Sequence, residues 1–359
     1  MPFLTRLLSL LLVLAACATP ALAAPPRGYV SRADALLRQR VSENRFSGVV
    51  IVADHGRVVL RRAYGLANRE WKTPVTLTTQ FRIGSTTKTF TAAAVLQLVE
   101  AGKVRLEAPA ALYLTDMPPA WAAVTVRQLL DHSSGIPDYV QVNGFIRGPG
   151  RLDLSPAELI GLVRNQPLAF APGSGFVYSN TDYVLLGQLI ERASDQPYAA
   201  YIQAHLLTPL GLSHTAADDA RAVVSERASG YWNDGGVIRN ARVMTVAVTW
   251  AAGDLRSNAD DLLAWDRALH GGNLLSESSL AQMFRDDGHG YGLGSFVEMR
   301  EGHRLWDHGG NLPGFASAFE HYPDDGLSVI VLSNIEGHDA EALARDLAGL
   351  WFGWTLKVH

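Results

Sequence analysis

The chain has 359 residues, 48% of them hydrophobic and 18% charged, with a formal net charge of −4 at pH 7. This is the composition of a globular protein, long enough for one large domain or two smaller ones. The charge balance excludes the basic surface that nucleic-acid binding requires, so we expect no nucleic-acid partner. With a single cysteine, the chain cannot form an intramolecular disulfide.

The first residues have the organisation of an export signal. Arg6 supplies a positive charge, residues 7–16 form an apolar core, and Ala21-Leu22-Ala23 has the small residues of a cleavage site. We therefore predict a signal peptide over residues 1–23 and an exported protein, periplasmic or secreted. A second route stays open, because Leu14-Ala15-Ala16-Cys17 resembles a bacterial lipobox, in which Cys17 would carry a lipid anchor.

The predicted elements begin with a helix over residues 30–44 and two strands, 49–52 and 58–60, joined near His55-Gly56 as a hairpin. A long amphipathic helix pattern starts at Ser85. Mainly helical patterns then extend from about residue 106 to 284, broken by proline and glycine. The clearest are 126–131, 156–165, 182–193, 197–207 and 259–269.

The C-terminal part has a different pattern, in which strands follow one another closely before a last helix at 339–350. The predicted strands are 291–298, 303–306, 316–322 and 327–332. Strands near both ends of the chain predict an α+β fold: one antiparallel sheet built from both termini, with flanking helices and an inserted, mainly helical domain. We place the sheet domain at 28–84 and 285–359 and the helical domain at 85–284.

The first candidate for chemistry is Ser85-Thr86-Thr87-Lys88, at the start of the long helix pattern. Residues three apart share a helix face, so the Lys88 ammonium can reach the Ser85 hydroxyl. A serine hydroxyl is a weak nucleophile and needs a base, and a buried lysine with a lowered pKa can be one. The spacing alone also fits a capping serine followed by a solvated lysine.

A second candidate is Tyr178-Ser179-Asn180, just before the helix pattern of residues 182–193. Three hydrogen-bonding side chains on a loop suit a catalytic site, although they also suit an aromatic anchor followed by helix-capping residues.

The third candidate is His308-Gly309-Gly310-Asn311, which lies between two predicted strands. Adjacent glycines let backbone approach a ligand closely. A nearly identical string, His270-Gly271-Gly272-Asn273, follows an amphipathic helix pattern, and we interpret its glycines as a helix C-cap. We therefore prefer the copy at His308.

Together the three strings resemble the penicillin-recognising serine hydrolases, whose pattern is Ser-x-x-Lys, then Tyr-x-Asn, then Lys- or His-x-Gly. The matching pairs are Ser85 with Lys88, Tyr178 with Asn180, and His308 with Gly310. Two further phrases are similar: residues 129–136, which include His132, and residues 251–255. From the residues alone, we read His132 as a turn or packing residue.

The resemblance implies a mechanism without metal or organic cofactor. Ser85 would attack a carbonyl to form an acyl-enzyme, with Lys88 and Tyr178 sharing the role of base. Asn180 would bind Lys88 and the substrate amide, and the backbone N–H groups of Ser85 and Asn311 would bind the oxyanion.

His308 stands where class C β-lactamases have lysine, which lowers our expectation of efficient β-lactam hydrolysis. The resemblance therefore implies a D-amino-acid peptide substrate, of the D-Ala-D-Ala carboxypeptidase or D-aminopeptidase type, or an ester. A class C-like β-lactamase and a non-catalytic penicillin-binding or sensing module remain the alternatives. The partner is a small-molecule or peptide substrate, and the sequence leaves the oligomeric state open.

Overall fold

The computed structural model of the protein describes residues 24–272 and 274–355, so the predicted signal peptide, Cys17 and both processing sites lie outside the described residues. The fold is 37% helix and 21% strand. The helices are α1 (Tyr29–Ser42), α2 (Thr87–Glu100), α3 (Val126–Leu130), α4 (Pro156–Gly161), α5 (Asn180–Ser194), α6 (Tyr198–Ile202), α7 (Ala259–His270), α8 (Glu277–Met283) and α9 (Asp339–Phe352). Across the described ranges, none of them has the length and apolar character needed to cross a membrane.

The strands form one six-stranded sheet and three smaller sheets in the described part of the chain. The strands are β1 (Gly48–Asp54), β2 (Arg57–Tyr64), β3 (Leu66–Asn68), β4 (Thr73–Pro74), β5 (Phe81–Arg82), β6 (Ala216–Ala217), β7 (Tyr231–Asp234), β8 (Val237–Asn240), β9 (Leu255–Ser257), β10 (Phe296–Arg300), β11 (His303–Leu312), β12 (Phe315–Tyr322) and β13 (Leu327–Ser333). Single 3-10 turns connect several elements, and the turn Gly84–Thr86 precedes α2.

The central sheet has six strands in the order β10-β11-β12-β13-β1-β2, and every neighbouring pair is antiparallel. The two ends of the chain meet where β1 pairs with β13, with Gly48 opposite Ser333 and Asp54 opposite Leu327. The predicted fold class, an antiparallel sheet built from both termini with helices against it, is confirmed. The division into domains stays a prediction.

The sheet is covered on both faces, and β1 is buried along its whole length. Successive side chains of a strand point to opposite faces, so Val50 and Val52 pack in the cluster with α1 and α9, while Val49 and Ile51 pack in the larger cluster with α2, α5 and α7. The second face matters for function, because α2 and α5 follow the Ser85 and Tyr178 strings.

The sequence prediction for α2 was wrong in two respects. The helix begins at Thr87, after the 3-10 turn that contains Ser85. It is also not amphipathic: of its fourteen residues, only Gln97, Val99 and Glu100 escape burial. A helix that is buried on nearly every side lies in the interior, and α2 contacts α5, α6 and α8.

The third string also lies elsewhere than predicted. Residues 308–311 lie inside β11 rather than between two strands, because β11 continues to Leu312. The strand predicted at 291–298 begins only at Phe296. The interpretation of the similar string at residues 270–273 as a helix C-cap is confirmed, because Gly271 is the C-cap of α7.

Candidate active site

The turn that contains Ser85 is anchored to two strands of the central sheet. The hydroxyl of Thr86 donates to the carbonyl of His308 on β11 at 3.1 Å. From β12, the Ser317 hydroxyl donates to the Ile83 carbonyl at 2.8 Å. These two bonds, each from a side-chain hydroxyl to a backbone carbonyl, hold the turn that contains Ser85 against β11 and β12.

Two glycines allow this close approach. Gly84 has φ of +53°, and a Cβ there would lie 3.0 Å from the backbone nitrogen of Asn311. A Cβ at Gly310 would lie 1.9 Å from the Ile83 carbonyl oxygen and 2.5 Å from the Ser317 hydroxyl oxygen. Backbone occupies the space that a side chain at Gly310 would need, so glycine there serves the packing of the Ser85 turn on β11.

We expect Gly310→Ala to destabilise the fold and to displace Ser85. Overpacking against backbone costs about 1–3 kcal/mol, and the two segments that separate are those that position the nucleophile. Thermal unfolding and ester hydrolysis should therefore both suffer. Gly161→Ala is the matched control, since its Cβ would have no neighbour within 4 Å. An active, fully stable Gly310→Ala protein would contradict this account.

Lys88 is completely buried and reaches three oxygen atoms. Its Nζ lies 3.1 Å from Ser85 Oγ, 2.9 Å from Asn180 Oδ1 and 2.7 Å from the carbonyl oxygen of Ala252. The amide and carbonyl oxygens can only accept hydrogen bonds. A neutral amine donates its two hydrogens to them and keeps its lone pair for the Ser85 hydroxyl.

The surroundings of Lys88 favour that neutral amine. Burial lowers its pKa from 10.5 to about 7, while the carboxyl groups of Asp138 and Asp182 act in the opposite direction. A base with a pKa near neutrality has a large unprotonated fraction and still accepts a proton readily. The predicted role of Lys88 as a base therefore has a physical foundation in this site.

Asn180 is held in one orientation by Asp138. The Asn180 amide nitrogen donates to the two carboxyl oxygens of Asp138 at 3.1 and 3.3 Å, which directs Oδ1 toward Lys88. Asp138 also accepts from the backbone N–H groups of Val140 and Asn180, each at 3.2 Å. Burial raises the pKa of Asp138 despite these bonds.

Tyr178 lies against Lys88, whose Nζ is 4.8 Å from the centre of the phenol ring. Within the described residues its buried hydroxyl has no hydrogen bond of normal geometry. It lies close enough to Ser85 for that hydroxyl to lower its pKa, but burial raises the pKa of Tyr178 far more strongly, well above 10. The resting protein thus holds a neutral phenol, and the pKa of Lys88 suits a base better.

The His132 ring packs against the Tyr178 ring. Its ring centre lies 4.4 Å from that of Tyr178, and its Nδ1 lies 3.2 Å from Asp182. Asp182 also accepts from the Ser134 hydroxyl at 2.7 Å. The packing role that we predicted for His132 is confirmed, while its partnership with a buried carboxyl group was not foreseen.

The His308 side chain lies behind the cavity wall rather than in it. Its Nδ1 lies 2.7 Å from the Gly309 carbonyl, which can only accept, so Nε2 accepts from the Tyr291 hydroxyl at 2.9 Å. Burial lowers the pKa of His308 to about 3 and keeps the ring neutral. A substrate contact of this ring stays a prediction, and β11 reaches the cavity through Asn311 instead.

A cavity of about 140 Å³ opens at Ser85. Asn180 and Asn311 contribute polar side chains to it. Its walls are largely apolar and include Tyr139, Val140, Phe145, Ile146, Met244, Val248, Leu312 and Pro313. None of the described side chains that line it is acidic or basic, so the cavity suits a small uncharged group.

Two charged residues lie next to this cavity. Arg242 and Glu336 line an adjoining cavity of about 190 Å³, which shares Ile146, Asn311, Leu312 and Pro313 with the first. In the part of the chain that the structure describes, neither charge belongs to a salt bridge. Arg242 lies over the ring of Trp232 at 5.6 Å, and Glu336 accepts from the backbone N–H of Gly314 at 2.6 Å.

The structure thus brings five predicted residues together: Ser85, Lys88, Tyr178, Asn180 and Asn311. It places Gly310 against the Ser85 turn, and the His308 ring bonds Gly309 and Tyr291 and is not among the residues that line the cavity. Sequence reasoning missed Asp138 and Asp182, although Asp182 is two residues after Asn180 and Asp138 is three after Gly135. An acidic residue that closely follows a string or phrase similar to the family is the signal that could have found them.

Comparison with known proteins agrees with this geometry. Residues 33–350 match the Beta-lactamase family, so the chain belongs to that family. It is a serine hydrolase of the penicillin-recognising kind, as the three strings predicted.

Individual relatives differ in activity. The D-aminopeptidase of Brucella anthropi is 30% identical over 303 residues, covering 82% of this chain and 57% of its own. The esterase EstB of Burkholderia gladioli is 40% identical over 197 residues, covering 51% of this chain and 50% of its own. The octameric penicillin-binding protein homologue of Pyrococcus abyssi has a similar structure, with a TM-score of 0.81 and 28% identity over 90% of this chain and 78% of its own.

Proposed function

We propose that the protein forms an acyl-enzyme at Ser85 with a D-amino-acid amide or peptide, or with an ester of similar size. The observation that carries this proposal is the buried Lys88 amine, 3.1 Å from the Ser85 hydroxyl, with its other two partners both acceptors. An amine placed in this way can take the proton of a serine hydroxyl that attacks a carbonyl. The D-aminopeptidase and esterase relatives support the two substrate classes.

In the proposed reaction Ser85 Oγ forms a bond to the substrate carbonyl carbon, and the hydroxyl proton moves to Lys88 Nζ. The carbonyl oxygen becomes an oxyanion, for which the backbone N–H groups of Ser85 and Asn311 are the predicted donors. The bond to the amine or alcohol then breaks. Tyr178, a neutral phenol, gives its proton to the leaving group and regains one from Lys88. Water completes the cycle by hydrolysing the acyl-enzyme.

The two cavities support a substrate with an apolar group and a charged end. The apolar cavity at Ser85 suits an uncharged side chain, while Arg242 and Glu336, which form no salt bridge among the described residues, place charges beside it. An amino-acid derivative has both features, and for this reason we rank D-amino-acid amides and peptides before simple esters. A β-lactam comes last, because the neutral His308 stands in place of the lysine of class C β-lactamases.

The proposal is tested by incubating the purified protein with D-alanine and D-phenylalanine p-nitroanilides, p-nitrophenyl acetate and benzylpenicillin. We expect steady release of p-nitroaniline or p-nitrophenol, and a mass increase on the peptide that contains Ser85 when the reaction is quenched early. A single burst without turnover would support the sensing module instead. No turnover and no adduct with any compound would overturn the proposal.

We expect Tyr178→Phe to lower kcat by about 10²–10⁴-fold, the contribution of a positioned proton donor. Its hydroxyl has no hydrogen bond of normal geometry in the described structure, so the melting temperature should stay unchanged or rise. Tyr198→Phe is the matched control, because that buried hydroxyl bonds Thr91 Oγ1 at 2.7 Å. It should lose stability and keep activity. The same pattern in Tyr178→Phe would show that Tyr178 only packs.

We also propose export, with cleavage after Ala23 in preference to lipid attachment at Cys17. When the full chain is expressed in a bacterium, the intact mass of the purified product should correspond to a chain that begins at Ala24. A product that begins at Cys17 with the added mass of lipid would favour the anchored form, and an uncleaved chain would contradict export.

A further inference from the structure

A second group of chemically capable side chains lies away from Ser85. Asp266 and His270 are one helical turn apart at the end of α7, and His321 comes from β12. One nitrogen or oxygen atom of each lies within 4.8 Å of the others. His321 is four residues along β12 from Ser317, the residue that bonds the Ser85 turn, which is about 13 Å at the rise of a strand.

Two of these side chains, Asp266 and His270, have polar atoms without ordinary partners, while His321 Nδ1 lies 3.2 Å from the Ser328 hydroxyl. In the described structure both ring nitrogens of His270 and Oδ1 of Asp266 are buried without a hydrogen bond. The His270 side chain is only 9% exposed. Oδ1 of Asp266 lies 3.1 Å from His321 Nδ1 and 3.5 Å from His270 Nε2. Buried polar atoms without partners are rare and call for an explanation such as an ion.

We propose that Asp266, His270 and His321 bind one divalent transition-metal ion of the zinc type. Two imidazoles and one carboxylate are ligands that zinc accepts, with a fourth position left for water. The carboxylate is already oriented, because its Oδ2 accepts from the Ser328 hydroxyl at 2.6 Å. Such a hydrogen bond to a ligand is the usual support of a metal site. The ion would tie the end of α7 to β12.

One ring must turn for the ion to bind. The rings of His270 and His321 stack at 3.7 Å with planes 14° apart, so their lone pairs run nearly parallel. In a tetrahedral zinc site neighbouring ligand atoms lie about 3.4 Å apart and their lone pairs converge. His270 can turn without losing a hydrogen bond to any residue that the structure describes, since neither of its nitrogens makes one there. The rings of Phe284 and Trp306, which stack on each other, lie 5.2 and 5.1 Å from the His270 ring and offer apolar surface beside it.

The test is calorimetric titration of Zn²⁺ into the tag-free full chain after treatment with EDTA. We expect one ion per chain. At a free zinc concentration of 100 times Kd, the equilibrium constant for folding should rise about 100-fold, which is about 2.7 kcal/mol of added stability. His270→Phe keeps an aromatic ring in the stack but removes a ligand, so it should fold and lose the zinc effect. His321→Gln should also lose it. His303→Gln, which changes a histidine paired with Asp325 instead, should retain it.

The readouts separate a metal site from a packed pair of rings. Hydrolysis at Ser85 should be the same with and without zinc, since the cluster lies well along the strand from the Ser85 turn. Zinc binding that is unchanged in both variants would show an adventitious surface site and overturn the proposal. Absence of one-to-one binding in the unsubstituted protein would overturn it equally. Neither result bears on the proposed hydrolase reaction.

Discussion

Replacing Ser85 by alanine should lower kcat/KM for every hydrolysed substrate by about 10⁴-fold or more, the loss typical of a deleted nucleophile. Ser85 is the hydroxyl at the mouth of the apolar cavity that has an amine within hydrogen-bond distance. The change removes one oxygen atom, and Lys88 keeps its bonds to Asn180 and Ala252. Folding should therefore be preserved, and the acyl adduct should disappear from the quenched protein.

The measurement compares initial rates of ester and amide hydrolysis with the mass of the protein after incubation. Ser31→Ala is the matched control, because Ser31 is an exposed serine on α1, against the opposite face of the sheet. It should retain full rate and full labelling. Hydrolysis by Ser85→Ala at more than a few per cent of the original rate would mean that another group attacks the substrate.

The sequence predicted the sheet well, because its central strands have a clear local pattern. β1 and β13 are mostly apolar and buried along their whole length, and a strand buried on both faces needs no knowledge of its partners to be recognised. The site was predictable for a similar reason. The contact between Lys88 and Ser85 follows from their spacing of three residues. Tyr178 and Asn311 could be assigned to the site only through the order of the strings that match the family.

Other features depended on neighbours that a sequence does not show. The glycines of β11 were predicted to let backbone approach a ligand, but Gly310 is required because the Ile83 backbone passes over the strand. Aspartates are normally predicted at the surface, yet Asp138 and Asp182 are buried because they orient Asn180 and contact His132. Each error arose where tertiary contact, rather than local preference, decides the structure.

Replacing Lys88 by methionine should lower kcat/KM by about 10³-fold or more while the protein remains folded. Methionine is similar in length and apolar, so it fills the buried space but can neither accept the Ser85 proton nor return one to Tyr178. General-base contributions are typically about 10²–10⁴-fold, and here the same group serves both steps. Lys103→Met, an exposed change just beyond α2, is the matched control and should have no effect. Unimpaired hydrolysis in Lys88→Met would contradict the assignment of the base.

The pH dependence gives an independent measure of the same amine. The active form is unprotonated, so with a pKa of about 7 the rate of the unchanged protein should rise with pH through that value. Below it the rate should fall about tenfold per unit. The rate of the Lys88→Met protein should not show this rise with pH.

In Lys88→Met, stability should change in the opposite direction from activity. The folded pKa of Lys88 lies below the unfolded value of 10.5, so below pH 7 the fold holds a buried ammonium and the free energy of unfolding is lowered. Methionine removes that cost, and Lys88→Met should melt at a higher temperature than the unchanged protein at pH 6. Between pH 7 and 10.5 the unfolded chain binds the extra proton, so the unchanged protein gains stability and the difference should shrink by pH 9. A difference that stays constant from pH 6 to pH 9 would show that Lys88 is not the group with the lowered pKa.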